Sequence, residues 1–122
     1  MATLAKNIFG EPLEICSTSP LTGFYRTGCC ESGEEDEGSH TVCTVLSREF
    51  LLFSKAQGND LMTPIPQLGF PGLQEGDRWC ICLSRWLEAQ KQGMAPKVIL
   101  EATNEKILEH ISLEAIIPYA HK

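Results

Sequence analysis

The sequence predicts an α+β protein: one compact domain over residues 1–122, in which a small mixed β-sheet carries two or three helices and two long loops. Three observations support this class. A chain of 122 residues has the usual size of one domain. Hydrophobic residues make up 43% and charged residues 21%, as in ordinary globular proteins. After residue 40, β-rich runs alternate with helical patterns, which is typical of helices packed on a sheet.

The first forty residues predict a long loop, because Gly, Pro, Ser and Thr are frequent and no period of 2 or 3.6 is sustained. A loop this long inside a compact domain is either functional or folded over the core. Apolar side chains suited to such packing are Ile8, Phe9, Leu13, Ile15, Phe24 and Tyr25.

The run "TVCTVL" at 41–46 predicts the first strand. Ser47 is the expected N-cap of the following helix, and Gly58 marks its end. Residues 59–77 then contain three prolines and three glycines, which predict the second long loop.

The apolar run "RWCICL" at 78–83 is typical of a central strand covered on both faces. Ser84 is the expected N-cap of the next helix, which ends at Gly93. "PKVILEAT" predicts a third strand after this helix.

Residues 104–111 fit two structures. The apolar positions follow a helical stripe, whereas Asn104 and Glu105 favour a turn into a returning strand. We prefer the hairpin. Ser112 is expected to begin a last short helix, which Pro118 should end early.

Charge and hydropathy exclude two classes of partner. The net charge of −6 repels phosphate backbones and anionic lipid, so no nucleic-acid partner is expected. No stretch approaches the roughly 18 apolar residues of a membrane span, and the opening segment has no apolar signal region. We therefore expect a cytoplasmic protein without membrane contact.

Six cysteines, without an export signal, are expected to be reduced. Two pairings that the sequence suggests are geometrically poor. Adjacent Cys29 and Cys30 have Cα atoms about 3.8 Å apart, which is too close for an ordinary disulfide. Cys80 and Cys82 on one strand would lie about 6.6 Å apart, at the upper limit.

Several stretches carry a resemblance to a known family, namely "FGEPLEICSTSPLTGFYRTGCC", "GSHTVC", "GNDLMTP", "GFPGLQEGDRWCICLSRWLEA" and "APKVILEAT". With these motifs the chain resembles the bacterial domain-of-unknown-function family 2237, from about Asn7 to Ala120. The resemblance implies a name without a reaction. Asn104 stands where the family pattern tends to have histidine, so the resemblance assigns that position no role.

Metal binding is the first functional hypothesis, because thiolates and imidazole together suit zinc. The candidate ligands are Cys29, Cys30, His40, Cys43, Cys80 and Cys82, with Cys16 also available. Two observations oppose it: the chain has no C-x-x-C motif, and His40 and Cys43 lie on opposite faces if both belong to one strand. The alternative is that the cysteines are buried core residues.

A thiol enzyme is the second hypothesis, with Cys29 or Cys30 as nucleophile, His40 as base and Asp36 orienting the histidine. The acidic run at 34–37 opposes it, since negative charge raises a thiol pKa. Whether the protein is an enzyme stays open at this point.

A non-catalytic ligand-binding module is the third hypothesis, with Asp60, Asp77, Arg78 and Trp79 bordering a pocket at the strand ends. The alternative assigns the two aspartates to turns and the tryptophan to the core. Of the three hypotheses we prefer the Cys/His-centred site, with zinc as the candidate cofactor and a metal ion or small molecule as the partner.

Overall fold

The computed structural model describes residues 5–34, 36 and 39–121. Within this part of the chain, strands and helices follow one another in the predicted order: β1 (His40–Val45), α1 (Arg48–Ala56), β2 (Arg78–Cys82), α2 (Leu83–Lys91), β3 (Lys97–Val98) and α3 (Leu113–Ile116). Short 3-10 helices lie at Pro66–Leu68, Leu100–Ala102, Glu105–Glu109 and Ile117–Tyr119. The α+β class is confirmed.

The three strands form an antiparallel sheet in the order β2–β1–β3. The expected parallel component of a mixed sheet is reduced, in the described residues, to an isolated bridge between Val98 and Ala120. β1 rather than β2 is the central strand, and its four inner residues are all buried. The outer edge of β2 is covered by the N-terminal loop, where the Cys80 N–H donates to Thr22 Oγ1 at 2.8 Å.

Local signals placed the start of α1 correctly and the start of α2 two residues late. Ser47 caps α1 by accepting a hydrogen bond from the Phe50 N–H, as predicted. In α2, the N-cap is Cys82 and not Ser84, because the chain passes directly from the strand into the helix. The Leu83 N–H at this junction donates to the Ser39 carbonyl at 3.1 Å.

The hairpin prediction for residues 104–111 is wrong. The segment forms a 3-10 helix, Glu105–Glu109, because the Asn104 side chain accepts a hydrogen bond from the Lys106 N–H at 2.9 Å and so caps it. Ile107 is the buried residue of this helix. The cap predicted at Ser112 is confirmed by its bond from the Ala115 N–H.

Two apolar clusters pack against the sheet. The larger one includes Val42, Ile81 and Trp86 and joins the sheet to the helices. The smaller one consists of Cys16, Cys30, Cys43, Cys80 and Ala102. Since neighbouring residues of a strand alternate between faces, Val42 and Cys43 belong to different clusters.

The N-terminal loop packs less apolar surface than predicted. Ile8 and Leu13 are buried, whereas four other expected core side chains are exposed: Phe9, Ile15, Phe24 and Tyr25. In the described part of the chain, the longest helices have nine residues, and none could span a membrane.

Candidate functional site

Four of the six cysteines form two disulfide bonds that join the N-terminal loop to the sheet. Cys16 is bonded to Cys43 of β1, and Cys30 is bonded to Cys80 of β2. All four residues are at most 2% exposed. The expectation of reduced cysteines is therefore wrong for these four, because the partners come together from positions 27 and 50 residues apart.

A glycine turn brings the two loop cysteines to the sheet. The Gly28 carbonyl accepts hydrogen bonds from the Cys16 and Ser17 N–H groups, at 2.7 and 3.2 Å. Gly28 has a φ of +89°, which favours glycine, and a Cβ there would lie 3.1 Å from the Ser17 carbonyl oxygen. The turn thus holds the segments that carry Cys16 and Cys30 side by side.

Cys29, one of the two predicted nucleophiles, is a free but buried thiol. Burial raises its pKa, and the negative charge of Glu31 raises it further. Cys30, the other predicted nucleophile, is bonded to Cys80. Neither predicted nucleophile therefore suits that role, because the disulfide removes the Cys30 thiol and burial with the Glu31 charge disfavours the Cys29 thiolate.

The sulfur beside His40 is that of Cys82. Its Sγ lies 3.2 Å from His40 Nε2. Cys82 ends β2 and is the N-cap of α2, and its side chain makes no capping hydrogen bond there. The positive end of a helix dipole stabilises nearby negative charge. This sulfur therefore sits in a setting that differs from that of Cys29.

A β-bulge creates the contact between these two side chains. From Val42 to Val45, each β1 residue pairs in regular register with β2, which would place Thr41 opposite Cys82. The register shifts between His40 and Val42, so that His40 takes that position instead. The expectation that His40 and Cys43 lie on opposite faces assumed strict alternation along β1, and this bulge interrupts the alternation.

Asp36 binds His40 through both carboxylate oxygens. Oδ1 lies 2.6 Å from the ring Nδ1, and Oδ2 accepts a hydrogen bond from the His40 backbone N–H at 2.8 Å. Asp36 is buried. The predicted pairing of Asp36 with His40 is thus present in the structure, and the carboxylate sets both the ring orientation and the entry into β1.

These contacts raise the pKa of His40 to about 9. The hydrogen bond with Cys82 is the largest cause; burial acts in the opposite direction, and the hydrogen bond with Asp36 adds to the increase. His40 is therefore an imidazolium at neutral pH, in which both ring nitrogens donate hydrogen bonds. Nε2 donates to Cys82 and Nδ1 donates to Asp36.

The six residues expected to bind metal occupy three environments. Cys30, Cys43 and Cys80 are in disulfides, Cys29 is buried alone, and His40 contacts Cys82. Among the described residues, Cys16, Cys30 and Cys80 form a group of three whose ligand atoms all lie within 4.8 Å of one another. The structure therefore does not bring the predicted set together around His40.

The four residues expected to border a ligand pocket also separate. Asp60 and Trp79 line a cleft of about 230 Å³ together with His40. Asp77 instead accepts a hydrogen bond from the Gln74 N–H in its own turn, and Arg78 is an exposed residue of β2. Trp79 has a double role, since it also packs in the larger apolar cluster.

From the sequence, Cys82 was considered as a metal ligand, as a core residue and as a poor disulfide partner of Cys80, and not as a nucleophile. A signal for its other role exists in the pattern, because a cysteine between a β-rich run and a helix lies at a helix N-terminus. The partner His40 carries no such signal, since 42 residues and an unpredicted bulge separate the two side chains.

One family model matches the chain. Its description reads "Uncharacterized protein conserved in bacteria (DUF2237)", and the match runs from residue 6 to residue 120. No curated protein matches the sequence.

Proposed function

Because the chain belongs to this family of uncharacterised bacterial proteins, we propose a function from the site alone: a thiol-dependent activity with Cys82 as nucleophile. His40 carries the proton, and Asp36 positions His40. The observation that supports the proposal is that Cys82 Sγ lies 3.2 Å from His40 Nε2 while His40 Nδ1 lies 2.6 Å from Asp36 Oδ1. A nucleophile, a base and a group that orients the base are the usual parts of such a site.

The chemistry follows from the protonation state of His40. The proposed step starts from the Cys82 thiolate, which is the reactive form of cysteine, with the His40 imidazolium as its partner. The thiolate forms a bond to an electrophilic carbon, and the leaving group departs with the bonding electron pair. The leaving group then takes the proton from His40 Nε2, which returns the ring to its neutral form.

Differential alkylation tests the proposal. We expect iodoacetamide to modify Cys82 of the native protein at neutral pH about 100-fold faster than buried Cys29, because access and thiolate content control the rate. His40→Gln should slow modification of Cys82 and leave the Cys29 rate unchanged. Peptide mass mapping over time gives both rates in one sample.

The packing-only interpretation makes the opposite prediction. If Cys82 merely fills space at the end of β2, its rate should follow its exposure and should not depend on His40. Equal rates of Cys82 modification in the wild type and in His40→Gln would overturn the proposed function. A native circular dichroism spectrum and a cooperative unfolding transition of the variant show that the comparison is made on a folded protein.

A second candidate function is metal binding at the smaller apolar cluster. The sulfurs of Cys16, Cys30 and Cys80 lie within 4.8 Å of one another, and Cys43 is bonded to the first of them. Four thiolates at such spacing suit zinc, in which sulfurs about 3.8 Å apart surround the ion. This candidate requires the reduced form of cysteines that are otherwise paired as disulfides.

A thiol and metal count separates these two states. Protein denatured in alkylating reagent should show two reactive thiols, Cys29 and Cys82, if both disulfides are present. Six reactive thiols with one equivalent of zinc, in protein purified without chelator, would identify the metal form. Both counts use the wild-type chain.

Location and partner class follow from the same arguments. The cytoplasmic expectation conflicts with two disulfides, because cytosolic thiols are kept reduced. The thiol count on protein quenched directly from cells therefore also tests the location. The net charge of −6 opposes a nucleic-acid partner.

A further inference from the structure

Two neighbouring cavities share His40, one lined by a cationic side chain and the other by the thiol. The cleft of about 230 Å³ is lined by His40, Arg26 and Trp79, among others. A narrower cavity of about 50 Å³ is lined by Cys82 and shares His40, Leu61 and Trp79 with it. The two spaces therefore adjoin at His40, Leu61 and Trp79, with Arg26 lining the larger one and the Cys82 sulfur on the side of the smaller one.

The ion pairs among the described residues are His40–Asp36 and Arg85–Glu88. Within this part of the chain, the positive charge of Arg26 is therefore not neutralised by a carboxylate. Its guanidinium lies over the Trp79 ring, 5.3 Å from the centroid, and Nη1 donates to the Gly23 carbonyl at 2.6 Å. A guanidinium has five N–H donors, so most of them are available to a ligand.

The backbone holds Arg26 in place. Its φ of +55° is a conformation that residues other than glycine rarely adopt. The turn is closed by the Arg26 N–H, which donates to the same Gly23 carbonyl at 3.0 Å. Two hydrogen bonds to one carbonyl thus fix the side chain over Trp79.

Asp60, the acidic residue of the cleft, is occupied by its own turn. Its carboxylate accepts hydrogen bonds from the Met62 N–H at 2.9 Å and from the Thr63 hydroxyl at 2.6 Å. Elsewhere the walls are apolar, with Phe70 in edge contact with Trp79. The ligand therefore meets a flat apolar wall and one cation with free donors.

We propose that this cleft takes a small carboxylate with an electrophilic carbon, which places its carboxylate on Arg26 and its reacting carbon at Cys82. The inference rests on the proposed function of Cys82. Guanidinium and carboxylate form paired hydrogen bonds, and an apolar body fits the Trp79 wall. The volume is below the roughly 300–1,000 Å³ of pockets for drug-sized ligands, so the substrate is small.

Two alkylating reagents that differ in charge test this inference. Iodoacetate and iodoacetamide both form an S–C bond with Cys82 and release iodide, but only iodoacetate carries a carboxylate. We expect the ratio of the iodoacetate rate to the iodoacetamide rate, normalised to free cysteine, to fall about fivefold in Arg26→Gln. Arg48→Gln removes an equal charge from an exposed position on α1 and should leave the ratio unchanged.

A salt titration of the wild type also tests whether a local cation attracts the carboxylate reagent. Raising the salt from about 0.05 M to about 0.5 M should lower the wild-type ratio, because the attraction between exposed charges is screened. Arg26→Lys keeps the charge and should retain part of the preference. The protein as a whole repels anions at a net charge of −6, so a preference for iodoacetate requires a local cation.

The outcomes distinguish the two proposals. A ratio that responds neither to Arg26→Gln nor to salt, with Cys82 still fast towards iodoacetamide, overturns the substrate class and leaves the thiol function standing. Slow reaction of Cys82 with both reagents overturns the thiol function, and the substrate class with it.

Discussion

Cys80 and Cys82 lie two residues apart on β2 and have different chemical surroundings. Cys80 is 1% exposed and is bonded to Cys30 inside the smaller apolar cluster. Cys82 is partly exposed, free, and 3.2 Å from His40. The same residue type on the same strand thus supports structure at one position and reactivity at the other.

The difference shows that a cysteine at the end of a strand can stay free and partly exposed, whereas one in the middle of the same strand is covered and bonded. In the middle of β2, the loop covers the edge and supplies the sulfur that pairs with Cys80. At the end, the strand becomes α2, and the bulge in β1 turns His40 towards the junction. Irregular backbone at a sheet margin is a common place for functional side chains.

The largest expected effect is the loss of fast alkylation in Cys82→Ser. We expect the fast phase to disappear, a decrease of at least about 100-fold, because only the slowly reacting Cys29 remains free. The measurement is iodoacetamide incorporation by intact mass at neutral pH. A fast phase that persists in this variant would mean that the reactive sulfur is elsewhere.

The second prediction concerns the disulfide side of the comparison. Replacing Cys30 and Cys80 together by alanine should lower the free energy of unfolding by about 2–5 kcal/mol, because the crosslink no longer restricts the unfolded chain. Cys82→Ser, on the same strand, is the control and should change it by less than about 1 kcal/mol. Urea unfolding followed by circular dichroism measures both, and equal losses would contradict the division of roles.

The third prediction tests the positioning role of Asp36. Asp36→Asn should slow alkylation of Cys82 about tenfold, since the neutral amide no longer stabilises the imidazolium. Glu34→Gln is a matched control, because it removes one negative charge from an exposed position in the same loop. The shape of the pH–rate curve should also change for Asp36→Asn. Identical effects of the two variants would assign the change to overall charge.

The smallest expected effect is a pH dependence of stability from His40. Its folded pKa of about 9 lies above the ordinary 6.5, so protonation favours the folded state. This contribution is fully present below about pH 6.5 and is lost as the pH rises through about 9. We expect the wild type to lose stability relative to His40→Gln between pH 7 and 10.

Urea unfolding of the wild type and of His40→Gln between pH 7 and 10 gives the difference in their free energies of unfolding directly. The raised pKa of Cys29 acts in the same direction but is common to both proteins, so the subtraction removes it. A difference that stays constant with pH would contradict the assigned protonation of His40.

The sequence by itself determined the α+β class, the order of the strands and helices, and the caps at Ser47 and Ser112. It also indicated the pairing of Asp36 with His40, which lie four residues apart. These features depend on contacts within a few residues, so residue type and spacing contain the required information.

Tertiary structure alone decided which sulfur meets His40, which cysteines are bonded, and where Arg26 lies. Cys82 and His40 are 42 residues apart, and the bonded cysteines are 27 and 50 residues apart. An inserted residue in β1 reverses the face on which His40 lies, and a period-2 pattern cannot record that shift. Long-range contacts therefore divide the residues that the sequence offered as one set of metal ligands between two sites with separate chemistry.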